Sequence, residues 1–386
     1  MKTTYIIAIA VIVIVFIIGS VFAYTYLTRS PASTTTAKLA ATSLTGNGGT
    51  LVYPLMLTWI AEYGNVEPQI SVTYNAVGSG AGVTYFVTDG LGNFGESDAP
   101  MTATQYAAVP SSQTCLTLPI TASAVVPAYN LGEGASTPTL NFTGPILAEI
   151  FMGNITNWDD PALAAINPGT TLPNLSITCV HRADASGTMF AFTNFLYDTS
   201  SAWASHVGLP STSASIWPPL PGELEGSKNA GVATDIGGTK GAIGPLEISY
   251  ILENPGQTLL YYGTVENAAG NFILANDSSI AAALAAGAAS LPAGNASWTG
   301  VSIINNTYKD TAATSIYPIV TMTYALIYEH QSDYAQGAAL VNFFSWIVNS
   351  GQNLGVSEGY VPLPASIISI DNTGLQLVSY NGSPYE

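Results

Sequence analysis

The chain has 386 residues, of which 48% are hydrophobic and only 8% are charged, and its formal net charge is −17. A chain of this length can bury a sizeable core and divide into two lobes. It is acidic and has no basic run, which excludes the positive electrostatic footprint that holds a nucleic-acid backbone, so nucleic acid is not expected as a partner.

The N-terminus carries a long apolar segment. Residues 3–28 have no charge and consist mainly of Ile, Val, Ala and Phe, and about 20 such residues cross a bilayer. This length favours a retained membrane anchor, although Val21-Phe22-Ala23 also offers a cleavage site for a signal peptide. We therefore expect an extracytoplasmic protein at the cell surface, with a signal or anchor over residues 1–29 and a flexible stalk over residues 30–42.

The body of the chain alternates β-branched apolar runs with helical periodicity, which is typical of an α/β fold. Strands are predicted over residues 70–77, 122–128, 176–180 and 319–327. Helices are predicted over residues 52–63, 187–197, 279–290 and 334–350.

Two further features fit an exported protein. Outside the cytosol a pair of cysteines usually forms a disulfide, so we expect a bridge between Cys115 and Cys179. Two separately buried thiols are the alternative, since the sequence does not show whether the Cα atoms are close enough. Asn-x-Ser/Thr sequons, compatible with glycosylation, begin at Asn141, Asn154, Asn174, Asn276, Asn295, Asn305 and Asn381.

Three segments place small residues directly before the start of a helix: residues 44–51, 77–82 and 184–188. Helix N-termini present unpaired N–H groups and the positive end of a dipole, and small residues let an anion approach them. Hydroxyl groups that could add donors belong to Thr50, Ser79, Ser186 and Thr188. A tight turn is the alternative for each glycine cluster, because glycine permits positive φ.

Arg182 is the only arginine after Arg29, and it stands in Val180-His181-Arg182-Ala183-Asp184. The arginine guanidinium binds phosphate and carboxylate groups through two parallel hydrogen bonds. We therefore expect Arg182 to hold an anion, with a structural ion pair to Asp184 as the alternative.

Enzyme and metal sites are not predicted. Residues 355–359 match the Gly-x-Ser-x-Gly pattern of a nucleophile elbow, but no clear strand precedes them and no histidine follows them. No base is visible in the sequence beside Ser79 or Ser186, and the glycine cluster at residues 78–82 lacks the Gly-Lys-Ser/Thr of a P-loop. The spacing that metal ligands need is missing around the three histidines, His181, His206 and His330. We expect no catalysis, no metal and no cofactor.

From Leu44 to about Ser369 the sequence resembles the phosphate-binding proteins of high-affinity ABC phosphate importers. The main matching stretches, in order, are Leu44-Thr45-Gly46-x-Gly48-x-Thr50, Gly78-Ser79-x-x-Gly82, Phe94-Gly95-x-Ser97-Asp98-Ala99-Pro100 and Arg182-Ala183-Asp184-x-Ser186-Gly187-Thr188. Secondary matches are Asn157-Trp158-Asp159-Asp160, Asn167-Pro168-Gly169, Gly241-Ala242-Ile243-Gly244 and Phe343-Phe344-x-Trp346. Their order and spacing are preserved over most of the body.

The resemblance implies a two-lobed, type II periplasmic-binding-protein fold, in which each lobe is a mixed sheet flanked by helices. By family topology, one lobe takes residues 43–123 and 317–386 and the other takes residues 124–316. Two hinge strands, near residues 122–128 and 317–323, would join the lobes. The implied function is capture of inorganic phosphate in the interlobe cleft and its delivery to an ABC permease in the membrane, without covalent chemistry.

The resemblance also implies the residues that contact phosphate. They are Thr50, the backbone of Leu51, Ser79, Asp98, Arg182, Ser186, Gly187 and Thr188, with Asp184 orienting Arg182 from behind. The chain departs from the family at three positions, where phenylalanine, a second basic residue and glycine are usual: Leu51, His181 and Ala185.

Asp98 carries the expected specificity. A carboxylate only accepts hydrogen bonds, so it repels an anion unless that anion brings a proton to donate. Hydrogenphosphate has such a proton near neutral pH and sulfate does not, so we expect Asp98→Ala to weaken the preference for phosphate over sulfate. A helix cap before Ala99-Pro100-Met101 is the alternative role of Asp98.

Two other functions stay open at this stage. A surface-layer or filament subunit could keep the fold while its anchor, stalk and sequons serve self-assembly. A receptor for another protonated tetrahedral oxyanion, such as arsenate, would use the same residues.

Overall fold

The computed structural model describes residues 39–132, 139–253, 259–304 and 311–385. The strands are β1 (Thr42–Gly48), β2 (Ile70–Ala76), β3 (Phe94–Ser97), β4 (Cys115–Tyr129), β5 (Asn141–Phe142), β6 (Thr178–Arg182), β7 (Leu224–Gly226), β8 (Ala242–Glu247), β9 (Tyr261–Tyr262), β10 (Thr264–Glu266), β11 (Phe272–Ile273), β12 (Val320–Tyr328), β13 (His330–Gln331), β14 (Ser379–Tyr380) and β15 (Ser383–Pro384). The α-helices are α1 (Tyr53–Val66), α2 (Ser79–Val83), α3 (Ala103–Ala107), α4 (Gly144–Phe151), α5 (Pro161–Ile166), α6 (Gly187–Thr199), α7 (Ser201–His206), α8 (Lys228–Gly238), α9 (Ser249–Leu252), α10 (Asp277–Gly287), α11 (Tyr334–Trp346) and α12 (Ala365–Leu375).

One mixed sheet runs through the body in the order β2-β1-β3-β12-β4-β8-β6-β7, and β9 also pairs with β4. The pairs at the two ends of this order, β1 with β2 and β3, and β6 with β7 and β8, are parallel. The pairs that involve β12 with β3 and β4, and β4 with β8, are antiparallel. Helices connect the parallel strands, as the alternation of periodicities predicted.

β4 and β12 join the two lobes. The first part of β4, from Cys115 to Ala124, pairs with β12, and its last part, from Val125 to Tyr129, pairs with β8. The register between β4 and β12 shifts between Thr323 and Tyr324. The predicted two-lobed α/β fold with two hinge strands is confirmed, while the exact lobe limits stay a prediction.

The predicted elements are present, with small shifts at their ends. The predicted strands correspond to β2, β4, β6 and β12, and the predicted helices to α1, α6, α10 and α11. Local sequence explains several starts: α1 has proline in its first turn, and Asn276 and Ser279 form a capping box at α10. In the described structure no strand directly precedes the Gly-x-Ser-x-Gly pattern: most of the pattern lies in a 3-10 helix over Gln352–Glu358, which follows a π-helix over Ile347–Gly351.

The predicted disulfide is wrong. Cys115 and Cys179 are both free and buried. Cys115 packs with Phe86 and Met101 in one hydrophobic cluster, whereas Cys179 belongs to the large core that contains Trp158. Each thiol fills its own core as a small apolar group, which is the common role of a buried free cysteine.

The expectations for the N-terminal segment and for the sequon at Asn305 lie outside the described residues. Among the helices that the structure describes, none is long and apolar enough to cross a membrane. The described residues from Ala40 onward form one compact unit.

Candidate anion-binding site

The three small-residue segments meet in space, as the anion-site hypothesis expects. They lie at the carboxyl ends of β1, β2 and β6, and Asp98 directly follows β3. The carboxyl ends of parallel strands meet at the same edge of a sheet, where ligands of open α/β folds bind. The predicted side chains at this edge are almost fully buried, with exposed fractions of 3% for Thr50, 1% for Ser79, 2% for Asp98, 1% for Arg182, 1% for Ser186 and 0% for Thr188.

Contacts across the two lobes enclose this cluster. The Tyr250 hydroxyl donates to the Thr50 carbonyl at 2.7 Å, and the Lys228 ammonium donates to the Ala76 carbonyl. Ala185, which stands where the resembled family usually has glycine, lies against Gly80: a Cβ at Gly80 would come within 2.5 Å of the Ala185 Cβ. These contacts join segments of the two predicted lobes beside the cluster.

Asp98 sits at the centre of a hydrogen-bond network. The Ser79 hydroxyl donates to its Oδ2 at 3.0 Å, and the Thr323 hydroxyl donates to its Oδ1 at 2.7 Å. Burial raises the pKa of Asp98, although these hydrogen bonds oppose the rise. The helix-cap alternative is wrong, because Thr102 caps the next helix, α3.

Asp98 places a carboxylate beside the Ser79 hydroxyl. The sequence alone showed no such group beside Ser79. The Ser79 hydroxyl is already engaged twice, because its oxygen accepts the Asp98 backbone N–H at 3.1 Å while its proton goes to the carboxylate. Ser79 opens α2, and Gly78 before it has a φ of 97°, a value that favours glycine. This network positions the two side chains at the site.

Arg182 is held on three sides. Its Nε donates to Asp184 Oδ1 at 2.9 Å and its Nη2 to Asp184 Oδ2, while its Nη1 donates to Ser186 Oγ at 2.8 Å and to Asn229 Oδ1 at 3.0 Å. Burial opposes ionisation of Asp184, but the hydrogen bonds and charge of Arg182 outweigh it and lower the pKa of Asp184. The ion pair that was the alternative role of Arg182 is thus present, and it fixes the guanidinium in the cluster.

The N-terminus of α6 supplies the next donors. The Ser186 oxygen accepts the Thr188 N–H at 3.1 Å as the cap of α6, and it also accepts from Arg182. Because both of these bonds use the oxygen, the hydroxyl proton of Ser186 is directed elsewhere. Gly187 lies beside Asp98, so the anion-attracting end of α6 approaches the carboxylate from the other lobe.

Hydrogen bonds from two tyrosine hydroxyls hold the loop after β1. The Tyr250 hydroxyl holds the Thr50 carbonyl, and the Tyr360 hydroxyl donates to the Leu51 carbonyl at 2.6 Å. The Leu51 side chain itself is fully buried in the core. The Thr50 hydroxyl oxygen is buried and has no hydrogen-bond partner, and the same holds for the side-chain nitrogen of Asn229.

Sequence reasoning missed two polar residues of the cluster. Asn229 accepts from Arg182 and from the Thr188 hydroxyl, at 3.3 Å, and is fully buried. Glu96 is fully buried two residues before Asp98, and the Gly49 N–H and the Tyr74 hydroxyl donate to its Oε2, the latter at 2.6 Å. Alternation along β3 could have placed Glu96 beside Asp98, whereas nothing local marks Asn229.

The protonated form of Glu96 is favoured in this cluster. Burial and the neighbouring charge of Asp98 raise the pKa of Glu96 well above its usual value. Its second oxygen, Oε1, has no hydrogen-bond partner in the described structure. Two adjacent buried carboxyl groups cannot both ionise easily, so we assign the proton to Glu96 and the charge to Asp98.

A family model described as a PBP superfamily domain matches residues 32–350. Over 325 residues the chain is 34% identical to the "Phosphate-binding protein PstS" of Xylella fastidiosa (strain 9a5c), covering 84% of this chain and 82% of that protein. It is 31% identical over 330 residues to the protein of the same name from Methanocaldococcus jannaschii, covering 83% and 82% of the two.

The fold also matches a solved structure, the "Phosphate binding protein (PBP) from Stenotrophomonas maltophilia", with a TM-score of 0.64 and 17% identity, covering 89% of this chain and 96% of that chain. The two-lobed fold and the family model define the class of protein, a PBP superfamily domain. Within that class, the chain belongs to the family of phosphate-binding proteins named PstS.

Proposed function

We propose that the protein is an extracytoplasmic solute-binding protein, which captures inorganic phosphate between its lobes and delivers it to an ABC permease. The observation that carries this proposal is the buried cluster of Asp98 and Arg182, with two unpaired polar atoms, on Thr50 and Asn229, beside them. Buried polar groups without partners are rare in proteins, and a bound ion is one way in which such groups are satisfied. Both relatives are named phosphate-binding proteins, which supports phosphate as that ligand.

The proposed contacts consist of several donors and one acceptor. The donors are Thr50, Leu51, Ser79, Arg182, Ser186, Gly187 and Thr188, through side chains or backbone N–H groups at the starts of α1, α2 and α6. Asp98 is the acceptor, and it takes the proton of hydrogenphosphate. Asp184 stays behind Arg182 and keeps its guanidinium in place.

Binding depends on local groups rather than on the net charge of the protein. Distant surface charges are screened beyond about 10 Å at moderate salt, whereas N–H groups and the guanidinium act at contact. An acidic protein can therefore hold an anion. The contacts of Tyr250 with Thr50 and of Lys228 with Ala76 close the lobes without a covalent step.

Calorimetric titration of phosphate into the untagged full chain, freed of phosphate beforehand, tests the proposal. We expect one site per chain and a higher unfolding temperature, because a ligand at a hundred times its dissociation constant stabilises the folded state by about 2.7 kcal/mol. Arsenate fits the same donors and acceptor, and its relative affinity comes from the same titration. Neither heat nor a thermal shift with phosphate, arsenate or sulfate would contradict the receptor function and favour a surface-layer or filament role.

We further infer that residues 3–28 hold the protein at the membrane, close to its permease. Glycosylation is inferred for sequons with exposed asparagines, at Asn154, Asn174, Asn276, Asn295 and Asn381. Asn141 differs from these in its exposure, because it is partly buried. Membrane fractionation and peptide mass spectrometry of the native protein test the two inferences, with recovery in the soluble fraction or unmodified sequons as the contrary results.

A further inference from the structure

His181 is a buried histidine that the phosphate site does not use. Only 3% of it is exposed, and its Nε2 makes no hydrogen bond. Glu223 Oε2 lies 3.6 Å from that nitrogen, and Glu225 is the register partner of His181 on the neighbouring strand β7. Ligand atoms of these three side chains all lie within 4.8 Å of one another.

The histidine ring is oriented so that its free nitrogen faces the acids. Its Nδ1 lies 3.1 Å from the Arg182 carbonyl oxygen, which can only accept, so Nδ1 carries the proton. Trp217 stacks on the ring, with centroids 5.4 Å apart and an angle of 17° between the planes. With the proton on Nδ1, a metal ion would take the lone pair of Nε2, the nitrogen that faces the Glu223 carboxylate.

We propose that His181, Glu223 and Glu225 bind a divalent transition-metal ion such as Zn2+. Zinc takes imidazole nitrogen and carboxylate oxygen at about 2.0–2.2 Å in a tetrahedral arrangement, which separates neighbouring ligand atoms by roughly 3.3–3.6 Å. The 3.6 Å between Nε2 and Glu223 Oε2 is compatible with one edge of such a site. Calcium and magnesium prefer oxygen ligands alone, so the imidazole favours zinc or a similar ion.

The charges of the cluster support a cation. Among the described residues, neither Glu223 nor Glu225 is paired with a lysine or arginine, and the Glu223 carboxylate otherwise accepts the Leu220 N–H at 3.0 Å. Glu223 is partly buried and Glu225 is exposed, so an ion and a water ligand can enter from solvent. His181 is distant in sequence from Glu223 and Glu225, which is why spacing along the chain predicted no metal site.

The metal would tie two strands together. β7 is the edge strand of the sheet, and its partner β6 carries both His181 and Arg182. Successive residues of a strand point to opposite faces, so the metal would lie on the other face of β6 from the phosphate site. It would stabilise the strand that positions Arg182 without touching the anion.

Zinc binding to the untagged full chain, stripped with a chelator and free of phosphate, tests the proposal. Equilibrium dialysis is expected to give one Zn2+ per chain, and Co2+ in its place is expected to give the visible absorption of a nitrogen- and oxygen-bound ion. His181→Gln and Glu225→Gln should each weaken zinc binding at least about tenfold, since each removes one of three protein ligands. The exposed His206→Gln is the matched control and should bind like the natural protein.

Glu225 is exposed, so Glu225→Gln is expected to fold even if a variant at the buried His181 does not. The absence of stoichiometric zinc, or equal zinc affinity in Glu225→Gln and the natural protein, would overturn the metal site and leave a His181–Glu223 ion pair. Phosphate titration of the same Glu225→Gln sample separates the two proposals, because phosphate binding is expected to persist there.

Discussion

Asp98 and Gly187 meet across the two lobes so closely that a side chain at Gly187 would lie 2.3 Å from the Asp98 Cβ and 2.6 Å from its backbone carbonyl carbon. Gly187, the first residue of α6, therefore packs against the Cβ and backbone of Asp98, whose carboxylate we propose accepts the proton of the ligand. Glycine at this position lets the lobes close fully.

Gly187→Ala should weaken phosphate binding. The added methyl group meets backbone atoms that cannot rotate away, and overpacking of this kind costs about 1–3 kcal/mol. If the cost falls on the closed form, phosphate affinity drops roughly 5- to 150-fold in calorimetric titration.

The control for this variant is Gly64→Ala, within α1, where an added Cβ meets nothing within 4 Å. It should keep phosphate affinity and raise the free energy of unfolding by about 0.5–1 kcal/mol, because alanine favours a helix more than glycine does. Equal phosphate affinities of Gly187→Ala and Gly64→Ala would contradict the tight closure.

Arg182→Lys should weaken phosphate binding although it keeps the positive charge. A lysine ammonium cannot reproduce the fork that joins Asp184, Ser186 and Asn229. Hydrogen bonds to charged groups contribute about 1.5–3 kcal/mol, so we expect roughly 10- to 150-fold weaker binding by calorimetry. Lys240→Arg, at an exposed site of the same lobe, is the control and should change nothing; an unaltered affinity in Arg182→Lys would show that charge alone suffices.

The sequence predicted the fold and most of the candidate site for a physical reason. The segments that lead into α1, α2 and α6 are continuous stretches whose small residues, hydroxyls and following helices can be recognised locally. Their convergence then follows from the common edge at which parallel strands end.

Features that depend on distant contacts could not be predicted in the same way. Asn229 joins Arg182 only because β6 and β7 are neighbours, and Thr323 reaches Asp98 only because β12 lies beside β3. The disulfide expectation failed for a similar reason, since export context suggests a bridge but only the packing shows that Cys115 and Cys179 belong to separate cores.

Glu96→Gln tests the assignment of a proton to Glu96. An amide offers one acceptor and one donor in the shape of a protonated carboxyl group, so phosphate affinity at neutral pH should stay within about threefold of the natural value. Glu96→Ala should instead lower the free energy of unfolding by about 1–3 kcal/mol, because Gly49 and Tyr74 lose their acceptor. A large change of affinity in Glu96→Gln would indicate that the carboxyl group is charged.

Stability should rise on mild acidification. Burial raises the pKa of Glu247 to about 8, whereas an unfolded glutamate has a pKa of about 4.3. Between these values the folded state binds a proton that the unfolded state lacks, so the free energy of unfolding increases by up to about 1.4 kcal/mol per pH unit as pH falls. The gain is complete below the unfolded pKa and is lost as pH rises through about 8.

Denaturant titrations between pH 8 and pH 5, which lie in this window, measure the effect. Glu247→Gln should make the free energy of unfolding less dependent on pH, by the contribution of about one bound proton. The exposed Glu62→Gln should leave this dependence unchanged. Parallel slopes for the natural protein and Glu247→Gln would contradict a neutral Glu247.

In the proposed function, Asp98 makes the cleft a site for a protonated tetrahedral anion. Competitive calorimetric titration of phosphate and sulfate, on the natural chain and on Asp98→Ala at neutral pH, tests it most directly. We predict that the natural protein prefers phosphate at least about a hundredfold, and that Asp98→Ala lowers this preference about tenfold or more, because sulfate no longer faces an opposed acceptor. Sulfate binding as tight as phosphate binding in the natural protein, or an unchanged preference in Asp98→Ala, would contradict this role of Asp98.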